Sequence, residues 1–295
     1  MTFLKVTSSY MIIDGKGIAQ TFLDDVKNQI EKSASQRPPC LAFILVGDNP
    51  ASQLYVKLKV KTCKKIGITT KGFNFDSAVT QNEILQLLQS LNKDPNVDGI
   101  LIQMPLPPHL NLLEVIEFID PTKDVDGFHP LNMGRLLLGY NPYFIPCTPL
   151  GIHQMLLKAN IEISHKHVVI MGRSNIVGKP LAALLMQKNN QANATVSVVH
   201  SHTKEIDQIT QSADILIAAM GSPHFVKPSM IKKGAVVIDV GINRLHGKLI
   251  GDVEFEEAKA FTTHISPVPG GVGPMTIAML MCNTLKSYQY HQKLA

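Results

Sequence analysis

Tyr55 and Lys59 stand four residues apart in a stretch of helical character, so both side chains leave one face of that helix. A lysine held among apolar and aromatic neighbours gives up its proton more readily than one in water, and so becomes a base near neutral pH. The same spacing also describes an exposed helical lysine beside a half-buried tyrosine, and spacing alone does not separate the two. Gln103 directly follows residues 97–102, an apolar run that reads as a parallel strand. Open α/β sheets seat ligands at such carboxyl ends. Asp124 and Asp126 come next, within Lys123-Asp-Val-Asp-Gly127. A carboxylate there can pair with an amino-pyrimidine edge through two hydrogen bonds. An Asp-Gly pair is equally a turn former.

A second set surrounds HVVIMGRSNIVGKP, residues 167–180. Residues 167–172 read as a buried strand that breaks at Gly172, Ser174 lies in the turn, and Gly178 and Pro180 open a helix. Strand, glycine turn and helix aim backbone N–H groups at phosphate. The usual G-x-G-x-x-G lacks its middle glycine here, so this motif alone is also an ordinary strand–helix corner. The next strand, 194–199, ends in His200-Ser-His-Thr203, and no acid lies between Met171 and Glu205. An Asp or Glu at that point would grip free ribose hydroxyls. Arg173 and the Ser201 hydroxyl instead suit a 2′-phosphate, which favours NADP over NAD.

Residues 267–276, PVPGGVGPMT, combine three prolines with three glycines. The prolines stiffen the chain, the glycines let a ligand approach the backbone, and a cis X-Pro bond fits such a loop. Y-x-x-x-K is also the signature of short-chain dehydrogenases, but there the glycine motif opens the chain. Here the order is reversed, which sets that reading aside.

The elements that must position these residues alternate. Helices are expected over 14–32, 51–66, 81–91, 111–119, 252–261 and 276–290, the last capped by Thr276. Strands are expected over 41–46, 68–75, 97–102, 167–172, 194–199, 213–218 and 235–239. Gly67 reads as a left-handed helix stop, and Leu54, Leu58 and Cys63 read as one apolar side of the second helix. This alternation predicts an α/β protein with parallel sheets, and 295 residues suffice for two domains. A net charge of +5 without a basic run argues against nucleic acid, and no apolar run reaches membrane-spanning length. Four scattered cysteines read as free thiols of a reducing compartment. With no leader pattern at the N-terminus, the expectation is a cytoplasmic protein. The H-x-H pairs His165/His167 and His200/His202 lack a third ligand, so no metal is expected.

Seven strings together resemble the methylenetetrahydrofolate dehydrogenase/cyclohydrolase family along nearly the whole chain. They are VGDNPASQLYVKLK (46–59), IQMPLP (102–107), KDVDGFHP (123–130), IPCTP (145–149), GRSNIVGKP (172–180), DVGIN (239–243) and PVPGGVGPMT (267–276). The resemblance implies a homodimer with two activities in one cleft. An N-terminal folate domain, 1–148 with a returning helix 275–295, would join a Rossmann-type NADP domain, 149–274. Oxidation of 5,10-methylenetetrahydrofolate by NADP would give the methenyl cation, and water would open it to 10-formyltetrahydrofolate for one-carbon metabolism and purine biosynthesis. By the family's motifs, Lys59 carries the hydrolysis, Gln103 orients it, Tyr55 stacks on folate and Asp126 holds the pterin edge. Gly172 and Ser174 would meet the pyrophosphate side, Arg173 and Ser201 the 2′-phosphate, and Ile242 the nicotinamide. Gly270, Gly271 and Pro274 would border folate and cofactor. The other readings are a dehydrogenase that barely hydrolyses, a non-catalytic folate- or nucleotide-binding protein, and a shikimate-type dehydrogenase of similar fold.

Overall fold

The computed structural model describes residues 10–33, 37–245 and 247–293. The leader-free reading of the N-terminus, and the outer ends of the expected 1–148 and 275–295 segments, fall outside the described residues. In chain order the elements begin with β1 (Met11–Ile12), α1 (Gly15–Lys32), β2 (Cys40–Val46), α2 (Pro50–Ile66), β3 (Thr69–Phe75), α3 (Gln81–Lys93) and β4 (Gly99–Ile102). Then come α4 (Leu112–Glu117), α5 (Pro130–Leu138), α6 (Cys147–Lys158), β5 (His167–Met171), α7 (Gly178–Leu185), β6 (Thr195–Val199) and α8 (Ile206–Gln211). The chain closes with β7 (Ile215–Ala218), β8 (Ala235–Asp239), β9 (Asn243–Leu245), β10 (Lys248–Ile250), α9 (Phe255–Ala258), β11 (Thr262–Ile265) and α10 (Val272–Gln292). Two compact units result, one within Ala19–Cys147 and Ile277–Ala295, the other within Met1–Ile18 and Thr148–Thr276.

The first unit is built on a parallel sheet in the order β3-β2-β4. All seven residues of β2, CLAFILV, are buried, so this strand must have both faces covered and takes the centre. Ile84, Leu88 and Leu91, at helical spacing on α3, join its core. A reciprocal Thr80–Glu83 capping box starts that helix. Asn49 caps α2, and Gly67 at φ +87° ends it as expected.

The apolar side of α2 differs from the sequence reading. Leu54 and Leu58 are 42% and 43% exposed, and the buried positions are Ser52, Cys63 and Ile66. Lys59 lies at helical spacing along that stripe and is half-buried. The sequence reading had followed hydrophobicity, whereas the helix buries a mixed stripe.

Helices α5 and α6 are not foreseen. Each starts where a proline-containing segment reads as a turn: Pro130 at the first position of α5 and Pro149 in the first turn of α6. There the missing N–H has no helical partner to lose. The same reason corrects the last helix. It begins at Val272, with Gly273 and Pro274 in its first turn, and Thr276 is not its cap. The Thr276 hydroxyl donates back to Val272 O and meets Thr148 Oγ1 at 3.0 Å.

Polar side chains of α10 fasten the loop that follows β4. Ser287 Oγ lies within hydrogen-bond distance of both Asp98 O and Thr122 O, and Asn283 Nδ2 donates to Val125 O and Ile145 O. The Asp98 carboxylate takes both guanidinium arms of Arg37 at 2.7 and 2.8 Å and the Cys40 N–H.

The second unit carries a six-stranded, all-parallel sheet in the order β1-β11-β8-β7-β5-β6. From β5 onward this is the doubly wound 2-1-3-4-5 order, whose switch point lies between β5 and β7. The two-residue β1, at the sheet edge, carries no alternation that sequence reading could find. The expected 252–261 helix is shortened to α9, because Asp252 is drawn into hydrogen bonds described below. β9 and β10 form a small antiparallel hairpin.

Replacing Ser287 with Ala leaves Asp98 O and Thr122 O without this donor inside the unit. The expected loss is about 1–3 kcal/mol, read from the urea unfolding midpoint at unchanged slope.

Candidate active site

In the first unit the chemistry gathers at the carboxyl end of β4. Lys59 Nζ donates to Gln103 Oε1 at 3.0 Å, and Gln103 Nε2 donates to Met104 O at 2.9 Å. The second bond fixes which end of the amide faces lysine. Gln103 is itself fixed, because its N–H donates to Ile44 O of β2. Tyr55 is half-buried one turn before Lys59.

The Asp124–Asp126 loop is anchored on several sides. The Ile100 N–H donates to Lys123 O, extending the β4 edge. The buried Lys123 ammonium caps Leu91 O and Asp94 O at 3.0 and 2.8 Å. Gly99 leaves room for Val125, since a Cβ on it would lie 2.8 Å from Val125 Cγ1. Gly127, at φ +80°, lets the loop press on Ile145–Pro146, where a Cβ would sit 2.6 Å from Pro146 N.

The two aspartates divide the alternatives left open by the sequence. Asp124 makes the turn, accepting from Phe128 N–H, His129 N–H and Asn132 Nδ2. Burial pushes its carboxyl up to about 7 against those bonds, and the neighbouring Asp126 charge adds to the rise. Asp126 faces the lysine. Burial raises its carboxyl, while the Lys59 ammonium and the nearby Cys147 thiol pull it back. Asp124, Asp126, Ile100, Ile102, Met104 and Phe128 are among the residues lining one pocket.

In the second unit the switch point is closed by backbone contacts. Gly172 has φ +119°, and a Cβ there would stand 2.2 Å from Ala219 O, just beyond β7. A Cβ on Gly178 would stand 2.1 Å from Gly172 O. The missing middle glycine thus matters less than these two, which let turn, helix and neighbouring loop touch. Arg173 and Ser174 are exposed, and Ser174 Oγ accepts the Val177 N–H at 3.1 Å, keeping its own hydrogen for an anion. The Arg173 charge contributes, after desolvation, to lowering the His200 imidazole, so arginine and the 200–203 turn lie together. Ser201 is exposed in that turn.

Ile242 is 47% exposed, and a Cβ on Gly273 would lie 3.9 Å from its Cδ1. Gly270 O accepts the Lys16 N–H, and Gly271 packs so closely that a Cβ on Gly15 would overlap its carbonyl at 2.0 Å. The Val268–Pro269 bond is cis, as the proline-rich loop allowed. Pro274 lies half-buried in the first turn of α10.

The chain matches known proteins along most of its length. Residues 13–126 match the tetrahydrofolate dehydrogenase/cyclohydrolase catalytic-domain model, and residues 146–292 match the NAD(P)-binding-domain model of that family. A curated relative, bifunctional protein FolD of Halothermothrix orenii, is 51% identical over 282 residues, covering 95% of this chain and 98% of its own. The chain belongs to the tetrahydrofolate dehydrogenase/cyclohydrolase family. Its fold is likewise that of the bifunctional FolD enzyme from Campylobacter jejuni, with TM-score 0.92 and 46% identity over 96% of this chain and 99% of that one. The Trypanosoma brucei dehydrogenase-cyclohydrolase, solved with NADP and an inhibitor, has TM-score 0.90 and 36% identity over 95% and 98% of the two chains.

Sequence reasoning missed three contributors. Cys147, read only as a free thiol, donates to Val125 O at 3.4 Å, directly before Asp126. Asp252, fully buried, collects the N–H groups of Met220, Gly221 and Ser222 and the Asn243 amide. Asp239 accepts from Gly241, Asp252 and Val253 N–H groups, which sets the backbone on either side of Ile242. The signal available was the Gly251-Asp252 and Asp239-Val-Gly241 pairing in this sequence, which marks turns without saying what the carboxylates bind.

Burial pushes the Asp239 carboxyl from 3.8 up to about 6. The folded state therefore holds this proton more tightly than the unfolded chain, and ionisation weakens the fold as pH rises from about 4 to about 6, with a constant penalty above. Asp239→Asn lacks this dependence. Urea unfolding across that window should show wild type losing stability relative to the variant by roughly 1–3 kcal/mol; parallel curves would contradict the assignment.

Proposed function

We propose that the chain oxidises 5,10-methylenetetrahydrofolate with NADP to the 5,10-methenyl cation and hydrolyses that cation to 10-formyltetrahydrofolate. The observation that carries the reading is the Lys59–Gln103 hydrogen bond beside Asp126, three groups from separate elements at one strand end.

Oxidation needs positioning more than acid or base, because the substrate's own nitrogen lone pair drives departure of hydride. Bound NADP supplies the two-electron acceptor. Gly172 and Ser174 would lie along its pyrophosphate, Arg173 and Ser201 at the 2′-phosphate, and Ile242 beside the nicotinamide. Gly270, Gly271 and Pro274 would border substrate and cofactor. The close backbone approach at Gly172 and Gly178, with arginine beside the 200–203 turn, fits a phosphorylated ribose.

Hydrolysis needs proton management. Lys59 would take a proton from the attacking water. Gln103 Oε1 accepts from the lysine nitrogen whether it carries three hydrogens or two, so lysine keeps its aim through the cycle. Asp126 would hold the pterin edge through paired hydrogen bonds, and Tyr55 would stack on the folate ring.

The folate chemistry is assigned to residues 1–148 with 275–295 and cofactor binding to 149–274; the breaks between compact units at Cys147/Thr148 and Thr276/Ile277 support this division. The chain is further assigned to the cytoplasm as a homodimer serving purine biosynthesis. Four free cysteines fit a reducing compartment, and among the described residues no helix is long and apolar enough to cross a membrane. Exposed Leu54 and Leu58 on α2 fit cover by a second copy, which light scattering after gel filtration checks.

The deciding assay supplies methylenetetrahydrofolate with NADP or NAD and follows nicotinamide reduction and methenyl decay separately. Reduction with NADP and accelerated decay are expected; reduction alone would leave a monofunctional dehydrogenase. Lys59→Met should reduce hydrolysis by roughly 100-fold or more while folate still binds by calorimetry. Arg173→Ala should weaken NADP by roughly 10–100-fold, the worth of a charged hydrogen bond, and NAD far less. Equal weakening would count against the 2′-phosphate assignment.

A further inference from the structure

We propose that Asp252 is a positioning residue for hydride transfer, holding on one carboxylate both the peptide beside the glycine turn and the residue that follows Ile242. The inference deepens the function proposed above and rests on it.

The β9–β10 hairpin turns the chain back, so that the buried Asp252 returns to the carboxyl ends of β7 and β8. Its Oδ2 accepts from Met220 N–H at 2.7 Å and Gly221 N–H at 2.9 Å. Its Oδ1 accepts from Ser222 N–H at 2.8 Å and Asn243 Nδ2 at 2.9 Å. Two of these bonds bear on the cofactor groups. Met220 N–H belongs to the same peptide as Ala219 O, the atom that a Cβ on Gly172 would strike. A peptide is planar, so holding its N–H aims its carbonyl at the glycine turn. Asn243 follows Ile242 directly, and its bond restrains the chain on that side. On the other side, Gly241 N–H donates to Asp239 Oδ1 at 3.0 Å, and the same oxygen takes the Asp252 N–H at 2.9 Å. The two carboxylates act in series: Asp239 places Asp252, and Asp252 places both loops.

Two glycines make room for this series. A Cβ on Gly241 would stand 2.5 Å from Asp252 N, and one on Gly251 would overlap the Asp239 carboxylate. Neither glycine has positive φ, so the backbone conformation does not call for glycine here, whereas the approach of the carboxylates does. Hydride transfer depends on the reacting carbons being held at close range, and a misplacement of about 1 Å costs roughly 100-fold in rate. A carboxylate suits the task because both of its oxygens only accept. An amide at residue 252 would turn its NH2 toward at least one of the backbone N–H groups in either orientation.

The test compares full-length wild type with Asp252→Asn and Asn243→Ala. In Asp252→Asn the dehydrogenase kcat with NADP should fall roughly 10–100-fold, with a smaller rise in the KM for NADP. Methenyl hydrolysis measured without cofactor, which rests on Lys59, Gln103 and Asp126, should keep its wild-type rate. In the cofactor-free protein, amide hydrogen exchange at residues 220–222 should quicken roughly tenfold or more. Calorimetry with adenosine 2′,5′-bisphosphate, which lacks pyrophosphate and nicotinamide, should show unchanged affinity. Asn243→Ala spares the three backbone bonds, so it should lower kcat without quickening that exchange, and it carries the test should Asp252→Asn fail to fold in a thermal melt. An unchanged kcat in either folded variant would overturn the proposal, and so would an equal fall in both activities. Wild-type protein that reduces no NADP would instead overturn the function on which the proposal rests.

Discussion

The first unit depends on how the backbone after β4 is held. Burying a loop beside a sheet leaves carbonyls and N–H groups that must find partners. Here the last helix supplies them through Ser287 and Asn283, and the Lys123 ammonium ties the loop to Leu91 O and Asp94 O at the end of α3, so residues 120–127 have little freedom. Asp126 inherits its place from those bonds. A carboxylate on a loose loop would meet lysine only part of the time, whereas this one is set by backbone that cannot shift without stranding several buried polar groups.

The second unit is governed by contact instead of polar satisfaction. Its parallel sheet reverses direction of winding between β5 and β7, and the carboxyl ends there must carry a turn, a helix start and a neighbouring loop in a small space. Gly172 and Gly178 make this possible, since any side chain would overlap a carbonyl. Two buried carboxylates complete the arrangement. Asp252 ties the loop after β7, and Asp239 ties Gly241 after β8 to the segment after β10, each by binding successive backbone N–H groups as a helix terminus would bind an anion.

Much of the framework was legible in the chain because apolar runs and turn residues act locally. The β2 run reads as a buried strand, Gly67 as the stop of its helix, and the glycines after β5 as a corner. Burial faces and proline-led helices were less legible. The stripe of α2 that faces protein includes Ser52 and Lys59 and leaves Leu54 and Leu58 outside, an order no hydrophobicity pattern gives. Helices α5, α6 and α10 begin at or just before prolines because the first turn has no hydrogen bond for proline to break, so residues that read as loop are helix.

By itself, the sequence determined the α/β class, the Tyr55–Lys59 spacing, the glycine turn with Arg173 and no nearby acid, and the strings that place the chain in its family. These are properties of neighbouring residues, and neighbouring residues are what a sequence displays. Only the tertiary structure decided that Lys59 meets Gln103, that Asp124 makes the turn while Asp126 faces the lysine, and that Cys147 and Asn283 stand behind it. The Lys59–Gln103 pair is 44 positions apart and the Asn283–Val125 pair 158. Their energies come from burial and from satisfying polar groups after the sheet has formed, which no local pattern encodes.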